Sequence, residues 1–137
     1  MRRGLAVVAV AALALIWGDA ANASVSVTVD RIGVATGLGK RFAFRSTVVN
    51  TGPGAARGLV AHLNVASLRP GVYVDPEDWS TSRTRYLDPI PAGGTATVRW
   101  SLQAVNAGSF AVYVAVLPAR AAGRPPTVGR KIGRAHV

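Results

Sequence analysis

The chain has 137 residues, of which 50% are hydrophobic, with a formal net charge of +10 and no cysteine. This length predicts one domain, and the lack of cysteine excludes disulfides, thiol catalysis and a lipidated N-terminal cysteine. In residues 24–130, 12 Lys and Arg stand against 5 Asp and Glu, a net charge of +7, and these basic residues are scattered. Because nucleic-acid binding needs a clustered basic face, often with stacking aromatics, the composition predicts no nucleic-acid partner.

The N-terminus is typical of a secretory signal peptide. Arg2 and Arg3 precede an apolar run of 13 residues from Leu5 to Trp17, and Ala21-Asn22-Ala23 is an A-x-A cleavage site. The run is short for a membrane span, so residues 1–23 are predicted to be a signal peptide rather than an uncleaved N-terminal anchor. We therefore expect an exported protein that is secreted or displayed at the cell surface.

Short segments of alternating apolar residues follow the predicted signal peptide. Successive side chains of a strand point to opposite faces, so each alternating set predicts a half-buried strand. Phe110–Val116 is apolar on both faces and predicts a central strand. The sets that share a face are Val25, Val27 and Val29; Phe42, Phe44, Ser46 and Val48; Leu59, Ala61, Leu63 and Val65; and Ala96, Val98, Trp100 and Leu102.

Glycine and proline mark the connections between these strands. Asn50–Gly54 breaks the alternation, and the long connection that it begins is suited to carrying the chain from one sheet to the other. Ile32–Lys40 is glycine-rich and predicts a bend or a short edge segment. Val72–Val74 predicts a short strand, and Tyr86 with Leu87 is expected to re-enter the core.

The sequence predicts an all-β fold, an Ig-like antiparallel β-sandwich of about 6–7 strands over residues 24–118. No segment shows a sustained helical period. The inward faces supply enough large side chains for one core: Phe42, Phe44, Leu63, Trp100, Leu102 and Phe110.

Two stretches resemble the bacterial Ig-like sandwiches of the CARDB type, which are related to cell adhesion. They are FAFRSTVVNTGPGAARGLVAHLNV and IPAGGTATVRWSLQAVNAGSFAVYVAV. The shared pattern is a strand ending in N-x-G, a following apolar strand, a P-x-G-x-T turn and a late G-x-[FY]-x-V-x-V strand. The resemblance implies an extracytoplasmic, non-catalytic module used for adhesion or as a spacer, without a catalytic set. The insert YVDPEDWSTSRTRY departs from the pattern.

The insert holds the chain's concentration of carboxylates, Asp75, Glu77 and Asp78. Asp75–Trp79 predicts one helical turn, with Asp75 as its cap, the acids in its first turn, and pairing to Arg83 or Arg85. A Ca²⁺ site and a contact with a protein or glycan partner are the alternatives. The spacing lacks the ligand pattern of a calcium loop, so no metal and no cofactor are predicted.

The aromatic residues Tyr73, Trp79 and Tyr86 lie in the same insert. Exposed aromatics beside acids and arginines form surfaces that stack on sugars or bind proteins. The alternative for Trp79, which we favour, is that it plugs one open end of the sandwich. His62 alternates with Leu63 and is expected at the surface.

These observations favour a non-enzymatic, exported Ig-like module for adhesion, partner binding or spacing. An accessory carbohydrate-binding module is the alternative, and a small secreted hydrolase is less favoured, since a glycosidase needs two opposed carboxylates in a cleft. The partner is an unidentified protein or glycan. Its candidate contacts are Tyr73, Asp75, Glu77, Asp78, Trp79, Arg83, Arg85 and Tyr86.

The C-terminal residues do not continue the strand pattern. Residues 119–131 are interpreted as a linker or the start of a lost strand. Residues 132–137, IGRAHV, resemble the translation of a sequencing adapter, ATC GGA AGA GCA CAC GTC. We expect the last strand to be truncated here and the intact gene to continue with one more alternating strand. A membrane anchor in that lost segment is an open alternative to free secretion.

The predicted signal peptide is expected to be cleaved between Ala23 and Ser24 during export. Intact-mass analysis of the exported protein is expected to show a chain that begins at Ser24. An exported protein that still carries Met1–Trp17 would contradict the signal peptide.

Overall fold

The computed structural model describes residues 4–13 and 25–118, and of residues 11–13 only the backbone. These residues form eight strands and one short helix. The elements in chain order are β1 Leu5–Leu13, β2 Val25–Val29, β3 Gly33–Gly37, β4 Arg41–Asn50, β5 Leu59–Ser67, α1 Pro76–Trp79, β6 Thr84–Tyr86, β7 Thr95–Gln103 and β8 Gly108–Pro118.

The strands form two sheets. One has five strands in the order β3-β1-β8-β5-β6, and the other has three in the order β2-β4-β7. Neighbouring strands are antiparallel, except that β1 runs parallel to β8. This architecture confirms the predicted all-β sandwich, with seven of the eight strands after residue 24.

The predicted inward faces are buried between the two sheets. In β4 and β7 the register pairs Phe42 with Leu102 and Phe44 with Trp100. The indole Nε1–H of Trp100 donates to Ser46 Oγ at 2.8 Å, so the one hydroxyl on this face has a buried partner. All six large core residues expected from the sequence are at most 9% exposed: Phe42, Phe44, Leu63, Trp100, Leu102 and Phe110.

The first half of the predicted signal peptide lies in the larger sheet. β1 sits between β3 and β8, and it buries Ala6, Val8 and Val10 against the core. In the full chain, β1 is thus part of the sandwich. The cleavage site, residues 119–131 and residues 132–137 lie outside the described residues.

The connection from β4 to β5 carries the chain from the smaller sheet to the larger one, as expected. Asn50 anchors it, with a side chain that is fully buried. Its Nδ2 donates to the carbonyls of Gly54 at 2.7 Å and Ile90 at 2.9 Å, and its Oδ1 accepts from Gly52 N at 3.0 Å. One amide side chain therefore ties the crossover to the loop before β7.

Two local predictions are wrong. Val72–Val74 forms no strand. Tyr86 does not re-enter the core but is 80% exposed, because β6 is an edge strand that turns this ring outward, while Leu87 packs partly against the core. The predicted edge segment is present, as β3.

Replacing Asn50 tests how far the fold depends on this anchor. N50A is expected to lower the free energy of unfolding by about 3 kcal/mol, because two carbonyls and one N–H lose a buried partner. In N50D a carboxylate oxygen can still accept from Gly52 N, but the other oxygen lies against the carbonyls of Gly54 and Ile90 and cannot donate to them. This variant should therefore be no more stable than N50A.

Urea unfolding followed by tryptophan fluorescence measures both variants. The matched control is N64A, since the partly buried Asn64 side chain makes one bond, to the adjacent Val65 N. We expect it to cost about 0.5–1 kcal/mol. If the Asn50 and Asn64 variants lost equal amounts of unfolding free energy, Asn50 would not be the anchor of the crossover.

Candidate functional site: the groove between the β6 and β7 edges

One side of the sandwich carries a groove where the open edges of the two sheets meet. β6 is the edge of the larger sheet and β7 an edge of the smaller one. Two adjoining depressions, of about 330 Å³ and about 200 Å³, lie along this side. Arg85 of β6 and Arg99 of β7 line both, so we treat them as one feature, called the β6–β7 groove.

The insert between β5 and β6 forms one wall of the groove. Asp75 caps α1, its Oδ1 accepting from Glu77 N at 3.0 Å, and Pro76 occupies the first turn. Arg83 Nη2 donates to Glu77 Oε1 at 3.1 Å, which is the one ion pair among the described residues. The expected cap and the pairing with Arg83 are therefore both present, and they fold the insert back onto the sandwich.

Trp79 at the end of α1 is a core residue. It is 1% exposed, its ring centroid lies 4.7 Å from that of Phe110, and its Nε1–H donates to Asn106 Oδ1 at 3.2 Å. The favoured alternative, a plug in the sandwich, is confirmed. Trp79 also lines the smaller depression of the groove, but a partner cannot stack on a ring this deeply buried.

The other predicted contacts separate into three groups. Asp78, Arg85 and Tyr86 line the groove. Asp75, Glu77 and Arg83 are engaged in the cap and the ion pair. Tyr73 is 83% exposed but lies outside the lining of the groove.

Sequence reasoning missed two arginines of the groove. Arg41 and Arg99 come from β4 and β7, far from the insert in sequence. Both occupy outward positions of alternating strands, where a polar side chain looks like an ordinary solvent-facing residue. Pairing the outward positions of β4 with those of β7 would have placed the arginines on one face of the sheet, with Arg45 opposite Arg99 and Arg41 opposite Gln103.

The outward face of the smaller sheet next to the groove has a concentration of positive charge. Arg45 stands directly opposite Arg99 in the β4–β7 register, and both are exposed. Like charges directly opposite each other on a sheet destabilise it. Asp30 accepts a hydrogen bond from the backbone N–H of Arg45 at 2.7 Å. Within the described residues, no carboxylate forms an ion pair with either guanidinium.

Arg85 is held over the groove by contacts to the loop before β6, to its own strand and to the core. Its Nη1 donates to Ser82 Oγ and to the carbonyl of Thr84 at 3.3 Å. The guanidinium carbon lies 6.0 Å from the centre of the Trp100 ring, within the range of a cation–π contact. The charge therefore stands at a defined place in the groove.

His62 on β5 is partly buried beside the insert. Its Nδ1 lies 3.0 Å from Thr84 Oγ1, and its Nε2 lies 3.3 Å from Arg83 Nη1. Because a guanidinium only donates, Nε2 must accept, which places the imidazole proton on Nδ1. Burial, and then the charge of Arg83, lower the pKa of His62 below its ordinary value of 6.5.

The described residues show no metal site and no membrane-spanning helix. No three His, Cys, Asp or Glu side chains in residues 4–13 and 25–118 lie close enough to hold an ion. Over the same ranges, no helix has the length and apolarity of a membrane span.

The groove offers hydrogen-bond donors, positive charge and one exposed ring, which suits binding by side-chain contacts.

Neither a protein-family model nor a curated protein matches this sequence.

The position of His62 predicts a pH dependence of stability. The pKa of His62 is lower in the folded state than in the unfolded state, so folding favours the neutral imidazole. Its contribution to the free energy of unfolding is complete above pH 6.5 and is lost as the pH falls from 6.5 towards the folded pKa. An NMR titration of the His62 Cε1–H is expected to show a midpoint below 6.5.

The variant R83Q tests the cause of this shift. Removing the guanidinium should raise the pKa of His62, although not to the ordinary value, because burial is the larger cause. R31Q, an exposed arginine before β3, is the matched control and should leave the pKa unchanged. If R83Q left the titration midpoint of His62 unchanged, this would contradict the contact between Arg83 and the imidazole.

Proposed function

We propose that this protein is an exported, non-enzymatic Ig-like module that binds a partner through the β6–β7 groove. The observation that carries the proposal is the opposed pair Arg45 and Arg99 at the edge of that groove, without an ion-pair partner among the described residues. An anionic group supplied by a partner would relieve this repulsion.

The chemistry of the groove defines the kind of partner. Arg41, Arg85 and Arg99 line it, against the carboxylates Asp78 and Asp88. Arginine binds carboxylates in a bidentate geometry. We therefore infer a partner that presents acidic groups, and we favour an acidic protein segment. The CARDB resemblance supports this proposal, since it implies an adhesion or spacer module.

A carbohydrate-binding module is the second candidate, and Tyr86 favours it. This ring is 80% exposed and lines the same depression as Arg85 and Arg99. An exposed aromatic ring beside charged hydrogen-bonding groups is suited to stacking on a sugar. Two rings of the insert line the groove, Trp79 and Tyr86, and of these Tyr86 is the one exposed for stacking.

Binding arrays compare the two candidates directly. The exported protein is applied to immobilised acidic peptides, such as poly-glutamate segments, and to a glycan array that includes uronic-acid polymers. The double variant R85S/R99S is expected to weaken binding at least tenfold, since two charge-assisted contacts are lost. R31S/R57S removes two exposed arginines outside the groove lining and should bind as the unmodified chain does.

Tyr86→Ala separates the classes of partner. Loss of glycan binding in Y86A indicates a carbohydrate module, whereas retained peptide binding indicates a protein partner. If binding fell equally in R85S/R99S and R31S/R57S, the effect would be one of non-specific charge, and the β6–β7 groove would not be the binding site. An unmodified chain that binds no probe would favour the spacer role.

A further inference from the structure

His62 is a titratable side chain at the point where the larger sheet meets the insert between β5 and β6. Its Nε2 lies 3.3 Å from Arg83 Nη1, and the same guanidinium donates through Nη2 to Glu77 Oε1 at 3.1 Å. Arg83 Nη1 also donates to the carbonyl of Leu63 on β5, at 3.4 Å. One guanidinium therefore bridges β5 and α1, and the imidazole of His62 is one of its acceptors.

The helix α1 is a single turn and depends on contacts outside itself. Four residues are too few for a helix to be stable alone in water, because its nucleation is unfavourable. Two backbone bonds close the turn, from the N–H groups of Asp78 at 3.2 Å and Ser80 at 3.1 Å. Trp79 anchors its end in the core, whereas the Glu77 side chain is 76% exposed and is held by Arg83. The guanidinium bridge thus secures the exposed side of the turn.

Protonation of His62 removes an acceptor from this bridge. An imidazolium carries a proton on both nitrogens, so Nε2 and Arg83 Nη1 become two donors that face each other. Two positive charges then stand close together in a partly buried place, where water screens them incompletely. The bond of Nδ1 to Thr84 Oγ1 survives, because the hydroxyl can accept from Nδ1–H in both states. The ring therefore stays in place, and the guanidinium is the group that is displaced.

The other ionisable side chains around His62 do not offset this repulsion. On the same face of the sheet, β8 presents the phenol of Tyr113 and β6 that of Tyr86, one row away from His62 in each register. Arg85 of β6 lies on the other side of its strand, over the groove. Among the described residues, Glu77 is the carboxylate paired with this cluster, and one carboxylate neutralises one of the two cations.

The direction of the His62 pKa shift agrees with such a coupling. Burial, and then the charge of Arg83, lower this pKa below 6.5, so the bridged structure favours the neutral imidazole. By linkage, loss of the bridge increases the affinity of His62 for a proton, and acid therefore favours the structure without the bridge. The change between the two structures is expected below pH 6.5.

We propose that His62 is a proton-operated latch on the insert between β5 and β6. With a neutral imidazole, Arg83 bridges β5 and α1, and the insert is closed on the sandwich. With an imidazolium, Arg83 turns away from β5 and the turn of α1 frays, while Trp79 stays in the core. Because α1 contributes Asp78 to the lining of the β6–β7 groove, the latch also controls that wall. The proposal does not require a partner to bind there.

Hydrogen exchange of the full chain with solvent, measured by NMR between pH 7.5 and pH 5.0, tests the latch. The reporters are the amides of Asp78 and Ser80, and protection factors remove the pH dependence of intrinsic exchange. Protection at both amides is expected to fall by about threefold or more, with the midpoint at which His62 titrates. The amides of Ala56 and Ile90, which bond to each other's carbonyls at 2.8 Å, are the internal control and should not change.

Two variants are expected to give opposite results. H62Q supplies an amide oxygen that accepts without titrating, so protection should stay at its pH 7.5 level throughout. R83Q removes the bridging cation, so protection should be low already at pH 7.5 and no longer depend on pH. R31Q changes an exposed arginine before β3 and should behave as the unmodified chain does. Either of the first two variants decides on its own, so a failure of one to fold leaves the test intact.

Four outcomes overturn the proposal. The first is a protection of Asp78 and Ser80 that does not change with pH, or that is absent already at pH 7.5. The second is the same fall in H62Q, which would assign it to another titrating group. The third is an R83Q variant that keeps the full pH response. The fourth is a parallel loss of protection at Ala56 and Ile90, which would show unfolding of the whole domain rather than release of the insert.

Discussion

The fold depends on strand β8 having a paired strand on each side. β8 is the middle strand of the larger sheet, and its inward residues Val112, Val114 and Val116 are fully buried. β5 satisfies one edge of its backbone and β1 satisfies much of the other. Because an unpaired edge at the centre of a sheet is both unstable and prone to association, whatever pairs with β8 decides whether the larger sheet is complete.

Alternation in the sequence was sufficient to predict the inward faces of the main strands. It placed Phe44, Leu63 and Trp100 in the core because period-two patterning is a local property of each strand. It also located the cap at Asp75, since that interaction spans only two residues. The direction and partner of each strand were not accessible in this way, because they depend on pairings between distant parts of the chain.

The apolar N-terminal run fits two structures that local patterning does not distinguish. A short run of valine and alanine suits a signal peptide, and the same composition suits a buried strand, so periodicity alone cannot separate the two. At Tyr86, local patterning gave a wrong prediction. Its apolar ring was expected in the core, but an edge strand of three residues has one face directed to solvent. Arg41 and Arg99 were missed because β4 and β7 are distant in sequence.

The two edge strands of the larger sheet, β3 and β6, differ in length and in charge. β6 has only three residues and carries Arg85, and Arg99 lies on β7; short strands and charges are features that discourage strand addition at an edge. That edge therefore presents side chains rather than a long backbone edge to the solvent. On the other side of the sheet, the long apolar strand β1 lies between β3 and β8, and β3 has glycine at both of its ends. The two sides of the larger sheet are therefore closed by different means, β6 by its shortness and charge, and the other side by the backbone pairing of β1 with β3 and β8.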